Sequence, residues 1–268
     1  MTDLRVTIVQ TSLHWENPTA NLAMLEEKIW QISQPTDLIV LPEMFTTGFT
    51  MNAAALAEPM NLTTFKWLKT QAVQTGAVVT GSYIVKENGK YVNRLVWMQP
   101  DGVYQVYDKR HCFRMAGEHE VYTPGTQQLI VEWRGWRICP LICYDLRFPV
   151  WSRNTLREDG TGLAYDCLLY AANWPQPRRH AWNILLPARA IENLSYVIGV
   201  NRTGTDGKGI PYSGESAVIS PKGEYLLALS GVEHIHTVIL SKEELSQFRA
   251  AFPAYLDADP FSLLPKAE

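Results

Sequence analysis

The stretch Ile138-Cys-Pro-Leu-Ile-Cys-Tyr-Asp-Leu-Arg147 passes from a continuous apolar run into a polar segment. The apolar run begins at Trp136 and predicts a strand that is covered on both faces, followed by a helix over residues 147–157. Cys143 then lies at the bend, where a strand-to-helix elbow exposes a nucleophile and offers backbone N–H groups to an oxyanion. The helix N-terminus is expected to favour the thiolate form of this cysteine. Alone, however, Cys143 is better explained as a small buried apolar side chain.

Two other polar residues occupy the same kind of position, just after an apolar strand. The segment Ile39-Val-Leu-Pro-Glu43 places Glu43 behind a proline that ends its strand, and Tyr107-Asp-Lys109 places Lys109 after a hairpin region. Because ligands bind beyond the carboxyl ends of strands in open α/β sheets, both side chains are expected beside Cys143. A carboxylate against apolar walls suits a general base, although a single Glu or Lys at a strand end is usually a solvated surface residue.

The rest of the chain alternates short apolar runs with amphipathic segments, which predicts strands covered by helices. Asn-Gly at 88–89 and Asp-Gly at 101–102 indicate hairpins within a region of three strands. We expect one domain over residues 1–268, with a core at about 4–245 and a loop-rich tail after about 250. The predicted strands are 5–10, 37–41, three between 77 and 106, 129–133, 136–142, 167–172, 196–200 and 236–240, with a hairpin turn at 221–224; the predicted helices are 21–32, 62–75, 147–157, 180–194 and a short one from 242.

Composition argues against several classes of function. Hydrophobic residues make up 46% of the 268 residues and charged residues 19%, which is typical of a globular protein with a large core. The formal net charge is -3 and Lys and Arg are not clustered, so no nucleic-acid partner is expected. No apolar segment reaches the ~18 residues of a membrane span, and no secretory signal is recognised. The four cysteines show neither a CxxC pair nor zinc-finger spacing, which favours a reducing, cytoplasmic compartment.

The three polar residues stand in contexts that resemble the nitrilase superfamily of carbon–nitrogen hydrolases. The matching words are Leu-Pro-Glu at Glu43, Asp-Lys-Arg-His at Lys109, and Ile-Cys-Tyr-Asp-Leu-Arg-Phe-Pro at Cys143. Three further segments are similar to family motifs: Tyr122-Thr-Pro-Gly125, Leu186-Pro-Ala-Arg-Ala-Ile-Glu-Asn193 and Val200-Asn-Arg-Thr-Gly204. In the second of these, Pro187 stands where the family has an arginine. The resemblance extends over roughly residues 4–245.

This resemblance implies a fold and an assembly. The family fold is an α/β fold in which four layers form an α-β-β-α sandwich. Family members commonly pack an α-face against the same face of a partner, so a homodimer or a higher homo-oligomer is expected. The chemistry needs no metal and no organic cofactor, and the expected partner is a small-molecule amide.

The resemblance also assigns catalytic roles. Glu43 is expected to take the proton of the Cys143 nucleophile, while Lys109 and the backbone N–H of Tyr144 face the developing oxyanion. The family has a second glutamate seven positions before the Gly of its Pro-Gly pair. Counting back gives Glu118, which would hold Lys109 or orient the substrate amide. The alternative at this position is Glu120.

The words around the cysteine indicate a branch of the superfamily. Cys-Tyr-Asp-Leu-Arg-Phe-Pro from Cys143 resembles aliphatic amide hydrolases, whereas nitrile hydrolases typically have Trp-Glu after the cysteine. Ala-Asn-Trp-Pro at 172–175 and the segment at 111–125 are similar to omega-amidases, which hydrolyse the terminal amide of 2-oxoglutaramate and 2-oxosuccinamate. Such a substrate has a carboxylate at its far end, so its pocket should offer a cation or amide donors.

Four arginines near the motifs are candidates to bind that carboxylate: Arg114, Arg147, Arg178 and Arg179. Arg114 and Arg178 lie on the loops that we favour for this contact. Arg147 is instead expected to form a structural ion pair, because family members keep it whatever their substrate. Trp174 and Met115 are expected to form walls of the pocket.

Other functions remain open at this point. A Cys-His hydrolase would pair Cys143 with His111 or His119, which lie near Lys109 and Glu118 in the sequence. A regulatory or scaffolding module on the same fold is a second possibility. Within the amidases, hydrolysis of N-carbamoyl amino acids or of general aliphatic amides is the alternative to omega-amidase activity.

Overall fold

The computed structural model describes residues 2–263, which form two six-stranded sheets and a small two-stranded hairpin. The first sheet has the strand order β14-β1-β2-β3-β4-β5 and the second β13-β12-β9-β8-β7-β6, while β10 pairs with β11. The strands are β1 (Leu4–Gln10), β2 (Leu38–Val40), β3 (Val78–Glu87), β4 (Lys90–Met98), β5 (Tyr104–Asp108), β6 (Val131–Trp133), β7 (Trp136–Ile142), β8 (Cys167–Ala172), β9 (Tyr196–Asn201), β10 (Thr203–Thr205), β11 (Pro211–Ser213), β12 (Ala217–Ile219), β13 (Tyr225–Ala228) and β14 (His234–Leu240).

Helices cover the outer faces of the two sheets, which makes the predicted four-layer sandwich correct. Helices α1 and α3 pack on the first sheet, and α6 packs on β9 and β12 of the second. Helix α3 ends at Thr75, as predicted, because Gly76 after it has a left-handed φ of 63° that stops the helix. The helices are α1 (Pro18–Trp30), α2 (Ala53–Leu56), α3 (Thr63–Thr75), α4 (Glu118–Val121), α5 (Pro149–Ser152), α6 (Arg179–Asn193) and α7 (Lys242–Ala251).

The two sheets face each other across a core made by alternate residues of their strands. In β1, Val6 and Ile8 point into the core that the sheets share, while Val9 packs with the helices outside. In β2, Leu38 and Val40 point inward in the same way. This period of two is the side-chain alternation of a strand, and it explains why runs buried on both faces are apolar throughout.

Parallel pairing brings the functional strand ends to one edge of the sandwich. Strands β1, β2 and β3 are parallel neighbours in the first sheet, and β7, β8 and β9 are parallel neighbours in the second. Strand β5 follows β4 in an antiparallel meander, so it also runs in the direction of β3. The carboxyl ends of β2, β5, β7 and β8 therefore supply the residues of the site.

The predicted helix over residues 147–157 is wrong. A 3-10 turn spans Cys143–Arg147, α5 has only four residues, and residues 153–157 are not helical. Pro149 explains the break, because a proline disfavours helical backbone in the residue before it, and Phe148 has φ -115° and ψ 85°. The expected tail contains a short 3-10 turn at Ala254–Asp257 after α7, and its residues 264–268 lie outside the described residues.

The unusual Pro187 lies inside α6 and is compensated locally. Proline has no N–H, so the carbonyl of Asn183, four residues earlier, has no partner within the helix. That carbonyl accepts a hydrogen bond of 2.8 Å from the hydroxyl of Tyr225 on β13. The departure from the family motif therefore leaves no unsatisfied carbonyl.

Candidate active site

A small cleft at the carboxyl ends of the strands contains the predicted nucleophile. Its volume is about 80 Å³, and Cys143 and Lys109 both line it. Apolar and aromatic side chains form much of its wall. The residues that line the cleft are Phe49, Lys109, Phe113, Ala116, Cys143, Tyr144, Arg147, Asn173, Trp174, Pro175, Arg178, Asp206, Lys208, Ile210 and Tyr212.

Lys109 joins two buried glutamates. Its Nζ atom lies 2.8 Å from Oε1 of Glu43 and 2.9 Å from both carboxylate oxygens of Glu118. Glu118 also accepts the backbone N–H of Phe113, while Glu120 on the same short helix is exposed. The second glutamate in contact with Lys109 is therefore Glu118 and not Glu120.

Burial and charge act in opposite directions on this cluster. Burial alone would lower the pKa of Lys109, but the charges of Glu118 and Glu43 outweigh it, so that its pKa lies well above the ordinary value. Burial raises the pKa of Glu118, and the Lys109 charge opposes that effect without cancelling it. The two carboxylates therefore favour the charged form of Lys109.

Glu43 is held from three directions. Its Oε1 atom accepts from Lys109 and from Nδ2 of Asn93 at 2.9 Å, and its Oε2 atom accepts from the backbone N–H of Asn173 at 2.8 Å. Neither Asn93 nor Asn173 was among the candidates from the sequence. Asn173 directly follows an apolar strand, as Glu43 and Cys143 do, and that position was the available signal.

Cys143 occupies a strained backbone position at the elbow. Its φ of 44° is unusual for a residue other than glycine, and such strain is concentrated at functional sites. Burial raises the pKa of its thiol well above the ordinary value; the charge and hydrogen bond of Glu43 raise it further, and Lys109 only partly opposes them. The expected thiolate at a helix N-terminus is therefore wrong, because burial and the Glu43 carboxylate favour the neutral thiol.

Asp145 fixes the turn that carries Cys143. Its Oδ2 atom accepts the backbone N–H of Ile142 at 3.1 Å and the hydroxyl of Tyr107 at 2.7 Å. Its Oδ1 atom accepts the backbone N–H of His111 at 3.0 Å and lies 2.7 Å from Nδ1 of the same residue. This buried carboxylate thus ties the elbow to the segment that carries Lys109.

The histidines of the alternative mechanism lie in other contacts. His111 directs Nδ1 to Asp145 and stacks on Phe148 with ring centroids 3.7 Å apart. The nearest acidic neighbour of the His119 ring is Glu120, with Nε2 and Oε1 separated by 3.8 Å. The carboxylate that hydrogen bonds the Cys143 thiol is Glu43.

The predicted substrate contacts divide into two groups. Tyr144 and Trp174 line the cleft, whereas Arg114 and Met115 are exposed and lie outside its lining. Met115 is 77% exposed, and its Sδ atom is contacted by the Arg178 guanidinium. Arg114 and Met115 point away because the 3-10 turn Arg114–Ala116 directs Phe113 and Ala116 to the cleft instead.

Arg147 lines the cleft, contrary to its expected structural role. Its guanidinium lies 5.2 Å from the ring centroid of Trp174, and it forms no ion pair with any residue from 2 to 263. Arg178 and Lys208 also line the cleft. Arg179 does not; its guanidinium lies 3.9 Å from Glu215.

Residues 2–263 include neither a cluster of metal-ligating side chains nor a membrane-spanning helix. Within residues 2–263, no group of three or more His, Cys, Asp or Glu side chains is arranged to hold a metal ion. No helix in the same range has the length and apolar character needed to cross a membrane.

Comparisons with known proteins agree with this geometry. A family model described as carbon–nitrogen hydrolase matches residues 5–250. The omega-amidase YafV of Escherichia coli K12 is 47% identical over 98% of this chain and 100% of its own, and a 2-oxoglutaramate amidase of Bacillus subtilis is 31% identical over 94% and 96%. Among solved structures, XC1258 from Xanthomonas campestris, a CN-hydrolase superfamily protein with an arsenic adduct in its active site, superposes with a TM-score of 0.96 at 45% identity, covering 98% of this chain and 100% of that one.

Proposed function

The chain belongs to the carbon–nitrogen hydrolase family, and we propose that it is an omega-amidase that hydrolyses the terminal amide of short dicarboxylate monoamides such as 2-oxoglutaramate. The products are then 2-oxoglutarate and ammonia. The observation that carries this proposal is the buried contact of Lys109 with Glu43 and Glu118 beside Cys143, in a chain similar to an omega-amidase over 98% of its length.

Acylation begins when Glu43 takes the proton of the Cys143 thiol while Sγ attacks the amide carbon. A neutral thiol with an adjacent carboxylate suits this general-base step, since the proton moves only as the new bond forms. The tetrahedral intermediate collapses when Glu43 gives the proton to the amide nitrogen. Ammonia leaves, and the acyl group remains as a thioester of Cys143.

Deacylation uses the same carboxylate. Glu43 accepts a proton from a water that attacks the thioester carbon, and it returns that proton to the sulfur as the C–S bond breaks. The acid product then leaves. Glu43 therefore serves as base and acid in turn, which requires the fixed position that its contacts with Lys109, Asn93 and Asn173 provide.

The oxyanion of each intermediate faces Lys109 and the backbone N–H of Tyr144. The first N–H groups of a helical turn have no acceptor within the turn, so the N–H of Tyr144 is oriented for such a contact. Glu118 and Glu43 fix the ammonium of Lys109 before the charge develops. Prearranged donors of this kind stabilise a transition state without reorganisation during the reaction.

For the distal carboxylate of the substrate, Arg147 replaces Arg114 as the first choice. It lines the cleft and its charge is not engaged in an ion pair within residues 2–263. Loss of a bidentate arginine contact should lower kcat/KM by about 10- to 150-fold. Arg147→Met should therefore impair hydrolysis of succinamate far more than hydrolysis of butyramide, whereas Arg179→Met is the matched control that should leave the ratio unchanged.

The wild-type protein offers the direct test of substrate class. We expect kcat/KM for succinamate to exceed that for butyramide by about 10-fold or more, because only the former has a carboxylate for the cleft cation. Equal values would leave a general aliphatic amidase as the function. If N-carbamoyl amino acids are hydrolysed to carbon dioxide and ammonia with a higher kcat/KM than succinamate, the function is instead that of an N-carbamoyl-amino-acid hydrolase.

Assembly and location extend the proposal. We expect a homodimer in which the outer face of α6 packs on its partner's copy. The apolar side chains of Ile184 and Ile191 on this helix are 52% and 56% exposed, which supports such a contact. The wild-type protein should sediment as a dimer and Ile191→Glu as a monomer. If both sediment as monomers, the proposed dimer is contradicted. A cytoplasmic location is supported by the free thiols of Cys139, Cys143 and Cys167.

A further inference from the structure

Asn173 contacts Glu43 through two of its polar groups. It is the first residue after β8, is 3% exposed and lines the cleft together with Cys143 and Lys109. Its backbone N–H donates to Oε2 of Glu43 at 2.8 Å, and its side-chain Nδ2 donates to the backbone carbonyl of Glu43. These contacts hold the side chain of Asn173 in one orientation.

The orientation leaves one polar atom of Asn173 without a partner. A carbonyl oxygen can only accept, so the NH2 group of Asn173 must face the carbonyl of Glu43 and Oδ1 must be turned away from it. No residue from 2 to 263 donates a hydrogen bond to this buried Oδ1. Buried acceptors in proteins are almost always satisfied, so an unpaired one on a residue that lines the cleft points to a partner that enters the cleft, such as the substrate.

We propose that Oδ1 of Asn173 accepts an N–H of the scissile amide and thereby selects amides over esters. This inference rests on the proposed amidase function. The substrate carbonyl oxygen faces Lys109, so the NH2 group is the part of the amide that needs an acceptor. An ester oxygen has no proton to donate, and its lone pairs would face Oδ1 instead, which leaves both acceptors unpaired.

The contact persists as the leaving group forms. When Glu43 gives its proton to the nitrogen, the departing ammonia still carries N–H donors, and Oδ1 remains an acceptor for one of them. Because the protonated nitrogen is a stronger donor than the amide N–H, this hydrogen bond strengthens as the C–N bond breaks and favours that step. An ester that forms the same acyl-enzyme loses an alcohol and receives no such assistance.

Asn93 provides a matched control. It is also buried, also donates through Nδ2 to Glu43, and also has an Oδ1 atom without a donor among the described residues. Unlike Asn173, it does not line the cleft. Changes at either residue disturb Glu43, but only a change at Asn173 also removes the proposed acceptor for the amide N–H.

The test compares kcat/KM for a primary amide and the methyl ester of the same acyl group, succinamate and monomethyl succinate. Both pass through one acyl-enzyme, and kcat/KM reports the steps up to its formation, so effects of Glu43 on the attack by the thiol cancel in the ratio. The Asn93 variant measures how far a disturbed Glu43 changes the ratio through protonation of the leaving group. Asn173→Leu removes the acceptor with little change in shape, and Asn173→Ala is the second variant. Both should lower the amide-to-ester ratio by about 3- to 10-fold, as expected for one neutral hydrogen bond.

Asn93→Leu should lower both rates and change the ratio clearly less than the Asn173 variants do. An unchanged ratio in both Asn173 variants, or an equal fall of the ratio in Asn93→Leu, would overturn the inference. Failure of the omega-amidase proposal is distinguishable, because it would appear as equal wild-type rates for succinamate and butyramide. In that case butyramide and methyl butyrate form the test pair, and the same result is expected.

Discussion

The Nδ1 atom of His111 lies 2.7 Å from Oδ1 of Asp145, and this contact joins the segment that carries Lys109 to the elbow that carries Cys143. Lys109 follows β5 and Cys143 follows β7, and these strands belong to different sheets of the sandwich. This partly buried contact therefore helps to fix the spacing between Lys109 and Cys143. His111 makes this link, whereas the thiol of Cys143 is hydrogen bonded to Glu43.

Asp145→Asn should lower kcat by at least about 10-fold with a smaller change in KM. An amide group supplies only one acceptor oxygen, so buried donors among Ile142, Tyr107 and His111 lose a partner at about 1–3 kcal/mol each. Steady-state kinetics well below the thermal midpoint measure the effect. The control is Asp166→Asn, which removes ion pairs with Lys242 and Arg249 at the opposite ends of the strands. It should lower Tm yet preserve kcat, and a similar kcat in the two variants would contradict the positioning role of Asp145.

Glu43→Gln should lower the pKa of the Cys143 thiol although it abolishes turnover. The Glu43 carboxylate raises that pKa and the Lys109 cation lowers it, so removal of the negative charge leaves Lys109 to favour the thiolate. Thiolate absorbance at 240 nm, titrated against Glu43→Gln/Cys143→Ala as the blank, should rise at lower pH than in the wild-type protein. A titration that does not move, or moves upward, would show that Glu43 is not the dominant charge beside the sulfur.

Lys109→Met should cost several orders of magnitude in kcat, since the interaction with the oxyanion exists only along the reaction path. Glu43→Gln should have a similar effect. Because the two residues act as a unit, the double variant should be little slower than either single one. If the loss of kcat in the double variant equals the product of the two single losses, the two residues act independently.

Glu233 should make the fold sensitive to acid. Burial would raise its pKa, but hydrogen bonds from Lys28 and Ser12 hold the pKa at about 2, below the ordinary 4.5. A depressed carboxyl pKa stabilises the native state above the unfolded value, and this contribution is lost as the pH falls from about 4.5 to about 2. Glu233→Gln should therefore lower Tm at pH 7, and the difference from wild type should shrink through that window. Glu27→Gln on the exposed face of α1 is the control, which should match wild type at every pH.

Strand ends were predictable from the sequence, whereas side-chain directions beyond them were not. Apolar runs before Glu43 and Cys143 are long enough to fix the strands, and parallel pairing then brings their ends together. Pro149 explains the break at Phe148 in the helix predicted after Arg147, but it does not explain why α5 ends at Ser152. The sequence did not predict that Arg147 lines the cleft and Arg114 does not, because this depends on the direction in which a 3-10 turn points its side chains. Hydrophobic periodicity does not indicate that direction. The single domain over residues 1–268 stays a prediction.

The most direct measurement of the central claim is product formation from 2-oxoglutaramate by the wild-type protein and by Cys143→Ala. The wild-type protein should release ammonia and 2-oxoglutarate in equal amounts, and Cys143→Ala should release neither. Cys139→Ala and Cys167→Ala, which alter cysteines buried away from the cleft, should keep activity at temperatures where they are folded. Undiminished ammonia release by Cys143→Ala, or no hydrolysis of 2-oxoglutaramate by folded wild-type protein, would contradict the account.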